Sequence, residues 1–489
     1  MTSLERTTAA RQVHDWLRRV SVVFIPGPSD ALLDDFADKL VTAFSQLGHH
    51  LIPQPQDKLD VLISTAVFGA PVHWKEALML TAKRRFGLEK APLVYHLLHA
   101  TRQQLADTLA RLERALATET PNPADFDFPG LAPNAYRTLY EQGQRGGAIL
   151  SLERLVQSQA KCIRIILVVG DETPEGAYTF DLVGAHPYTM ASEPGFYDDI
   201  VMRMVTAAST SEITNHRVVG KSLTKEEWAS LSTPPAMRRA GAELGKRRFF
   251  TEMIQISNLV DVPSLNNVIS AQYSEGCFAT WDAHISALVT TITGSARPVE
   301  KNHISDNELA LITAVRPDRL GAEVRHVEHL RNDPPSSEAV ELIDMDTPLP
   351  RIRLSPRAWG VNATVPVARS KLHGHRGIRS FDPKLVEHVH LDLPYYHYPV
   401  SCSTEAQASA IRAAFSRSAA LNYPADARQV VFTIIPGHGV VIAEKWVEGK
   451  SPLQVIWEFI DDGTLEVDNR VPQGELDYAR WNGRMVLEV

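Results

Sequence analysis

The chain has 489 residues, 44% of them hydrophobic and 22% charged, with a formal net charge of −8. That length is more than one hydrophobic core supports, so two or three domains are expected. The acidic balance and the lack of any long Lys/Arg run argue against a nucleic-acid surface. Cys162, Cys277 and Cys402 are too dispersed for a CxxC metal pair and fit reduced thiols. Residues 1–20 hold no apolar signal core, and no stretch reaches about 18 uninterrupted apolar residues. A cytoplasmic protein with no membrane segment is therefore expected.

In chain order, Ser21–Pro26 is a β-branched run ending in Gly27-Pro28-Ser29-Asp30. Ser29 or Asp30 can cap the helix that follows, Ala31–Leu47, where Leu32, Leu33, Phe36, Leu40 and Phe44 recur at helical spacing. The Gly27 turn matches neither GxGxxG nor GxxxxGK[ST], so a strand-to-helix turn is expected rather than a phosphate loop. Asp60–Ser64 and Pro92–Leu98 read as buried strands and Gln103–Thr118 as a helix. Thr118–Pro133 is a Pro- and Asp-rich crossover, Ala135–Gln159 is helical, and Cys162–Val169 is a strongly apolar strand. This alternation predicts a doubly wound parallel sheet.

A second α/β unit is expected next. It has a helix at Phe196–Ala208, another opened by a capping-box-like start at Ser222–Glu226, and a third at Arg238–Leu259. Glu252 falls among the apolar residues of the third. Beyond Pro298 short strands alternate with Pro-rich turns, at Ala310–Val315, Glu323–His326, Arg351–Leu354, Thr364–Val367, Val386–Leu391, Val430–Ile435 and Val440–Ala443. A mainly antiparallel, barrel-like domain is expected there, interrupted by a helix at Glu405–Ser418 and followed by one at Pro452–Ile460. The predicted fold class is α/β, with two doubly wound α/β domains (1–165 and 166–300) and a C-terminal β-barrel (301–489).

Candidate chemistry gathers in the later part. Glu275 stands in a run that otherwise reads as buried, Ala271, Tyr273, Cys277, Phe278, Ala279 and Trp281, and Asp282 ends that run. An unpaired buried carboxylate costs several kcal/mol, so Glu275 either caps a helix, pairs with an Arg or binds a metal. His373-Gly374-His375-Arg376-Gly377 is a Gly-rich turn whose side chains can converge on a ligand, or a solvated basic loop. His438, between Gly437 and Gly439 at a strand junction, is a close-approach ligand or a turn histidine bonded to a carbonyl.

Glu252, Glu275, His303 and His438 together make a donor set for a divalent cation, Mn²⁺ first, with Mg²⁺ or Zn²⁺ as alternatives. His373, His375, Arg376 and Asp282 are further candidates for substrate or metal contact. The segment Ala271-Gln272-Tyr273-Ser274-Glu275-Gly276-Cys277, with Glu252 upstream and Gly437-His438-Gly439 before a strand and a last helix, resembles the L-arabinose and L-fucose isomerase superfamily. The resemblance covers about residues 250–460. It implies a metal-dependent, homo-oligomeric enzyme that interconverts an aldose and a ketose through an enediol. Glu252 and Glu275 would be the catalytic carboxylates and a small sugar the substrate, with neither nucleic acid nor membrane as partner. Two other classes stay open. One is a class II aldolase-like lyase in which histidines hold zinc. The other is a non-catalytic sugar-binding protein on the same fold.

Overall fold

The computed structural model describes residues 19–70, 79–88, 92–129, 131–160, 162, 164–181, 184–188, 191, 195–208, 213–250, 276–292, 301, 303–356, 362–392, 403–435 and 438–468. Their contacts divide into two units at Ala208/Ser209.

The first unit is built on one sheet with strands β1 (Ser21–Ile25), β2 (His50–Leu51), β3 (Val61–Val67), β4 (Leu93–Ala100), β5 (Ile165–Val169), β6 (Gly176–Asp181) and β7 (Gly184–Tyr188). Their order is β2-β1-β3-β4-β5-β6-β7. The first five run parallel and the last two add antiparallel. The connecting helices are α1 (Ala31–Gln46), α2 (Met79–Phe86), α3 (Arg102–Leu116), α4 (Ala135–Ala160) and α5 (Phe196–Ala208). Strands such as β4 are buried on both faces because helices cover both. Val22, Ile63, Leu97 and Val168 pack with α1 and α5, and Val23, Leu62, Leu98 and Leu167 pack with α3 and α4. Asp30 caps α1 as expected, accepting from the Leu33 N–H at 2.9 Å. The predicted parallel core is present. The β6–β7 hairpin makes the sheet mixed, so the expected break at 165/166 falls within β5.

The second unit holds β8 (Arg217–Val218), β9 (Cys277–Asp282), β10 (Ala287–Thr291), β11 (Leu309–Val315), β12 (Ala322–Arg325), β13 (Arg351–Arg353), β14 (Thr364–Pro366), β15 (Ala368–Gly374), β16 (Gly377–Phe381), β17 (Val386–His388), β18 (Val430–Ile435), β19 (Gly439–Lys445) and β20 (Leu465–Asp468). Its helices are α6 (Lys225–Ser230), α7 (Thr233–Lys246), α8 (Ser337–Asp344), α9 (Glu405–Ser416), α10 (Ala419–Asn422) and α11 (Gln454–Asp461). α6 opens on a capping box in which Thr224 and Glu227 exchange hydrogen bonds of 2.7 and 3.1 Å.

Nine strands form one sheet in the order β17-β18-β19-β15-β9-β10-β11-β12-β8, while β13–β14 and β16–β20 are separate pairs. The expected barrel does not close. The sheet is open, with β17 and β8 as its edges. The physical reason lies in pairing. β9 and β10, from residues placed in the second expected domain, pair with β15 and β11 from the third. One face packs Phe278, Val289, Leu372, Phe432, Val440 and Ile442 against α7 and α11. On the other, Cys277, Val431, Val441 and Ala443 pack with Ala339 and Leu342 of α8 and Ile411 of α9. Among the described residues no helix is long and apolar enough to cross a membrane.

Candidate metal centre

The polar cluster of the second unit sits under α8, where β15 and β19 meet. β15 lies between β9 and β19, and His373 is in register with Cys277 on one side and Val441 on the other. Cross-strand partners share a face, so His373 points toward α8 with those two residues. His375 follows two positions on, just past the strand end. His438 closes the β18–β19 turn, its N–H donating to the Ile435 carbonyl at 3.0 Å. The glycine after it is required by close approach, since a Cβ at Gly439 would overlap the carbonyl oxygen of Gly374. The glycines beside these histidines thus let two chain segments touch and bring their imidazoles together.

Ring centroids lie 5.3 Å apart for His373–His375, 4.8 Å for His373–His438 and 4.9 Å for His375–His438. Glu338, in the first turn of α8, completes the group. Its Oε1 is 3.6 Å from Nε2 of both His373 and His438. The four residues each offer a donor atom within 4.8 Å of the others, and all three histidines are buried. Two donors about 2.1 Å from an ion at the tetrahedral angle are about 3.4 Å apart, so the 3.6 Å separations match a shared cation.

The tautomer supports this reading. His373 Nδ1 lies 3.1 Å from the Val440 carbonyl oxygen, which only accepts, so the ring proton sits on Nδ1. Nε2 is left with its lone pair facing the Glu338 carboxylate. Two acceptors facing each other repel unless a cation stands between them. A backbone carbonyl that fixes the far nitrogen is the usual second-sphere support of a metal-bound imidazole.

The electrostatics agree. Burial pushes His373 down to about 4 against the attraction of Glu338, and pushes His375 well below the ordinary histidine range. Both are neutral lone-pair donors at neutral pH. Burial raises Glu338, but His373 and His438 outweigh it and hold the carboxyl well below its usual range. Cys277, beside His373, is not among the four clustered donors. Burial and then Glu338 push its thiol well up.

No known family, curated protein or solved structure matches the chain.

The candidates read from the sequence fare unequally. His438 is in the cluster, and His373 and His375, named as alternatives, join it. His303 is exposed in a turn and stands outside it. Asp282 is buried at the end of β9, where Oδ1 accepts from the N–H groups of His284 (2.9 Å) and Ile285 (3.3 Å) and builds the β9–β10 turn. Arg376 Nε donates to the Arg248 carbonyl at 3.1 Å. Glu252 and Glu275 lie outside the described residues.

Glu338 was missed from the sequence. Its signal is the spacing of Glu338, Glu341 and Asp344, which repeat every third position on a helix and so share one side. That side is buried. Glu341 accepts from Gln407 Nε2 at 2.7 Å and Asp344 from Arg412 at 2.5 Å, both partners on α9. The first acid of the series faces the histidines instead.

Proposed function

We propose that the second unit holds one divalent metal ion through Glu338, His373, His375 and His438, and that the protein is a metal-dependent enzyme acting on a hydroxy-carbonyl compound of the sugar type, interconverting aldose and ketose. The observation that carries the metal is the buried group of four donors within 4.8 Å. Three imidazoles and a carboxylate suit Mn²⁺ or Zn²⁺. They suit Mg²⁺ poorly, because it favours oxygen donors and keeps its waters. When bound, the ion supplies Lewis-acid polarisation of a carbonyl and its neighbouring hydroxyl.

The chain's own groups supply the rest. The Val440 carbonyl orients His373, α8 presents Glu338, and burial keeps two imidazoles unprotonated. The substrate class is supported by the resemblance of the C-terminal segment, where His438 is followed by the strand β19 and the helix α11 in the expected order. Glu252 or Glu275 is the carboxylate proposed to carry the proton between C1 and C2.

The donor set also favours a second reading. Three histidines on one ion are closer to the aldolase-like alternative, retro-aldol cleavage, than to a site made mainly of carboxylates.

Elemental analysis after chelation and reloading tests the metal, and a screen of pentoses and hexoses tests the reaction. One Mn²⁺ or Zn²⁺ per chain is expected, lost in Glu338→Gln. Partial exchange of the migrating hydrogen with solvent deuterium is expected during isomerisation. A metal content unchanged in Glu338→Gln would overturn the site. A loaded protein that cleaves a sugar and isomerises none would establish the lyase.

A further inference from the structure

Three of the four donors belong to one piece of sheet. β15 and β19 pair along their length, so the backbone fixes where His373, and His375 and His438 just beyond the paired strands, stand. Of the four, Glu338 alone comes from a helix, the short α8 (Ser337–Asp344). Ala339 and Leu342 seat α8 against one apolar cluster, and Val340 and Ile343 against another. Apolar contact is non-directional, and cores accept residues of about the right size. Such packing seats a helix without fixing its slide and rotation to the ~0.5 Å that a ligand constellation requires.

Directional contacts come from the other two acids on that side of α8. Glu341 Oε2 accepts from Gln407 Nε2 at 2.7 Å, and the two residues are 2% and 1% exposed. Asp344 Oδ2 accepts from Arg412 Nη1 at 2.5 Å, and Arg412 Nη2 donates to Ser409 Oγ at 3.1 Å. Gln407 and Arg412 both lie on α9, so that helix grips α8 at two points along its length. One such contact lets a helix pivot, whereas two hold its slide and its rotation together. Buried polar pairs are a poor means to stability, because apolar residues of similar volume do as well or better. Their best-attested use is to specify register. Register matters here at Glu338, whose Oε1 meets two imidazoles at once, 3.6 Å from Nε2 of each.

We propose that Gln407 and Arg412 are positioning residues of the metal centre, setting the register of α8 on α9 and thereby the place of Glu338 against the histidines. This rests on the metal reading above and adds α9, which supplies none of the four donors, to the machinery that tunes the ion. Gln407 and Arg412 act through α8 and take no part in coordination.

The test uses the full chain and the double variant Glu341→Leu/Gln407→Leu, which removes both partners so that neither is left buried alone. Its apoprotein is expected to unfold in urea at or above the wild-type midpoint. Its Zn²⁺ affinity is expected to fall at least tenfold, the scale typical of residues that support a metal ligand. The visible absorption of the Co²⁺-loaded protein, which reports coordination geometry, is expected to change with it. A merely structural pair would move the urea midpoint and leave the other two readouts alone. If the double variant does not fold, Gln407→Asn carries the test, since it keeps the amide and shortens its reach by one methylene. The proposal is overturned if the folded variant keeps the wild-type zinc affinity and Co²⁺ absorption. Failure of the underlying metal site is distinct, since it shows as absent zinc in the wild type.

Discussion

The two faces of the nine-stranded sheet are made by alternate residues of the same strands, yet they differ in kind. On β15, Leu372 points to one side with Phe278, Val440 and Ile442, a layer of hydrocarbon against α7 and α11. Lys371 and His373 point to the other, where Lys371 pairs with Asp346 and the histidines meet Glu338. Both faces are buried, so hydropathy alone does not separate them. What separates them is the covering helix. α8 brings acids at every third position, and each is matched by a base, an amide or the imidazole group. One face of this sheet holds the fold together, and the other spends burial on electrostatics.

The largest effect that would sharpen this contrast is expected on the hydrocarbon side. Phe278→Ala should cost about 3–5 kcal/mol of unfolding free energy, because Phe278 is fully buried against Phe250 and a cavity remains. Urea titration measures it, and metal affinity should hardly change. On the polar side the order reverses. His373→Ala should weaken metal binding at least a hundredfold, about 3 kcal/mol, while the apoprotein unfolds near the wild-type midpoint. A His373→Ala apoprotein as unstable as Phe278→Ala would erase the distinction between the faces.

One carboxylate breaks the pattern of the hydrocarbon face. Glu444 shares that face with Val440 and Ile442 and accepts from the N–H groups of Leu453 (2.8 Å) and Val455 (3.0 Å) at the start of α11. Burial outweighs these bonds and pushes it up to about 7. Its folded pKa is above the unfolded value, so the folded state binds the extra proton between about pH 4.5 and 7. The stability it contributes is present below that window and is lost as pH rises through it, at up to about 1.4 kcal/mol per pH unit. Glu444→Gln should flatten that slope in urea titrations across the window. An unchanged slope would show that these N–H groups keep the side chain ionised throughout.

The smallest effect is expected from a paired change. Lys371→Met leaves Asp346 buried without its partner and should cost about 3 kcal/mol. The double variant Lys371→Met/Asp346→Leu should return to within about 1 kcal/mol of wild type. A double variant as unstable as the single one would mean that the ion pair itself stabilises this face.

Much of this was legible in the sequence, and the remainder fails for identifiable reasons. The helix at Ala31 was readable because Leu33, Phe36, Leu40 and Phe44 repeat at helical spacing behind a capping Asp30. The strands at Val430 and Gly439 were readable because their runs are short and apolar. Which strands pair was not readable. Alternation fixes the facing of a strand but not its distant partner, so an open sheet was taken for a barrel. Cys277–Asp282 is buried almost throughout and shows no alternation, which hid β9. Of the site, the histidines were visible through their glycines. Glu338 was not, because an acid in the first turn of a helix ordinarily faces water or complements the helix dipole.

The spread of the four donors along the chain has a consequence for how the molecule comes apart. Glu338 and His438 are 100 positions apart, and the histidines of β15 lie between them. An ion held by all four ties loops that no disulfide closes, since neither Cys162 nor Cys277 is in a disulfide. In chain-entropy terms, a cross-link over a 100-residue loop removes about 5 kcal/mol of freedom from the unfolded ensemble. The donors meet only after β15 and β19 have paired, so the tie forms late and resists opening rather than hastening assembly. A chelator added to the folded protein should therefore act as a reductant does on a disulfide-stapled domain, shortening the lifetime of the native state while leaving its refolding rate nearly untouched.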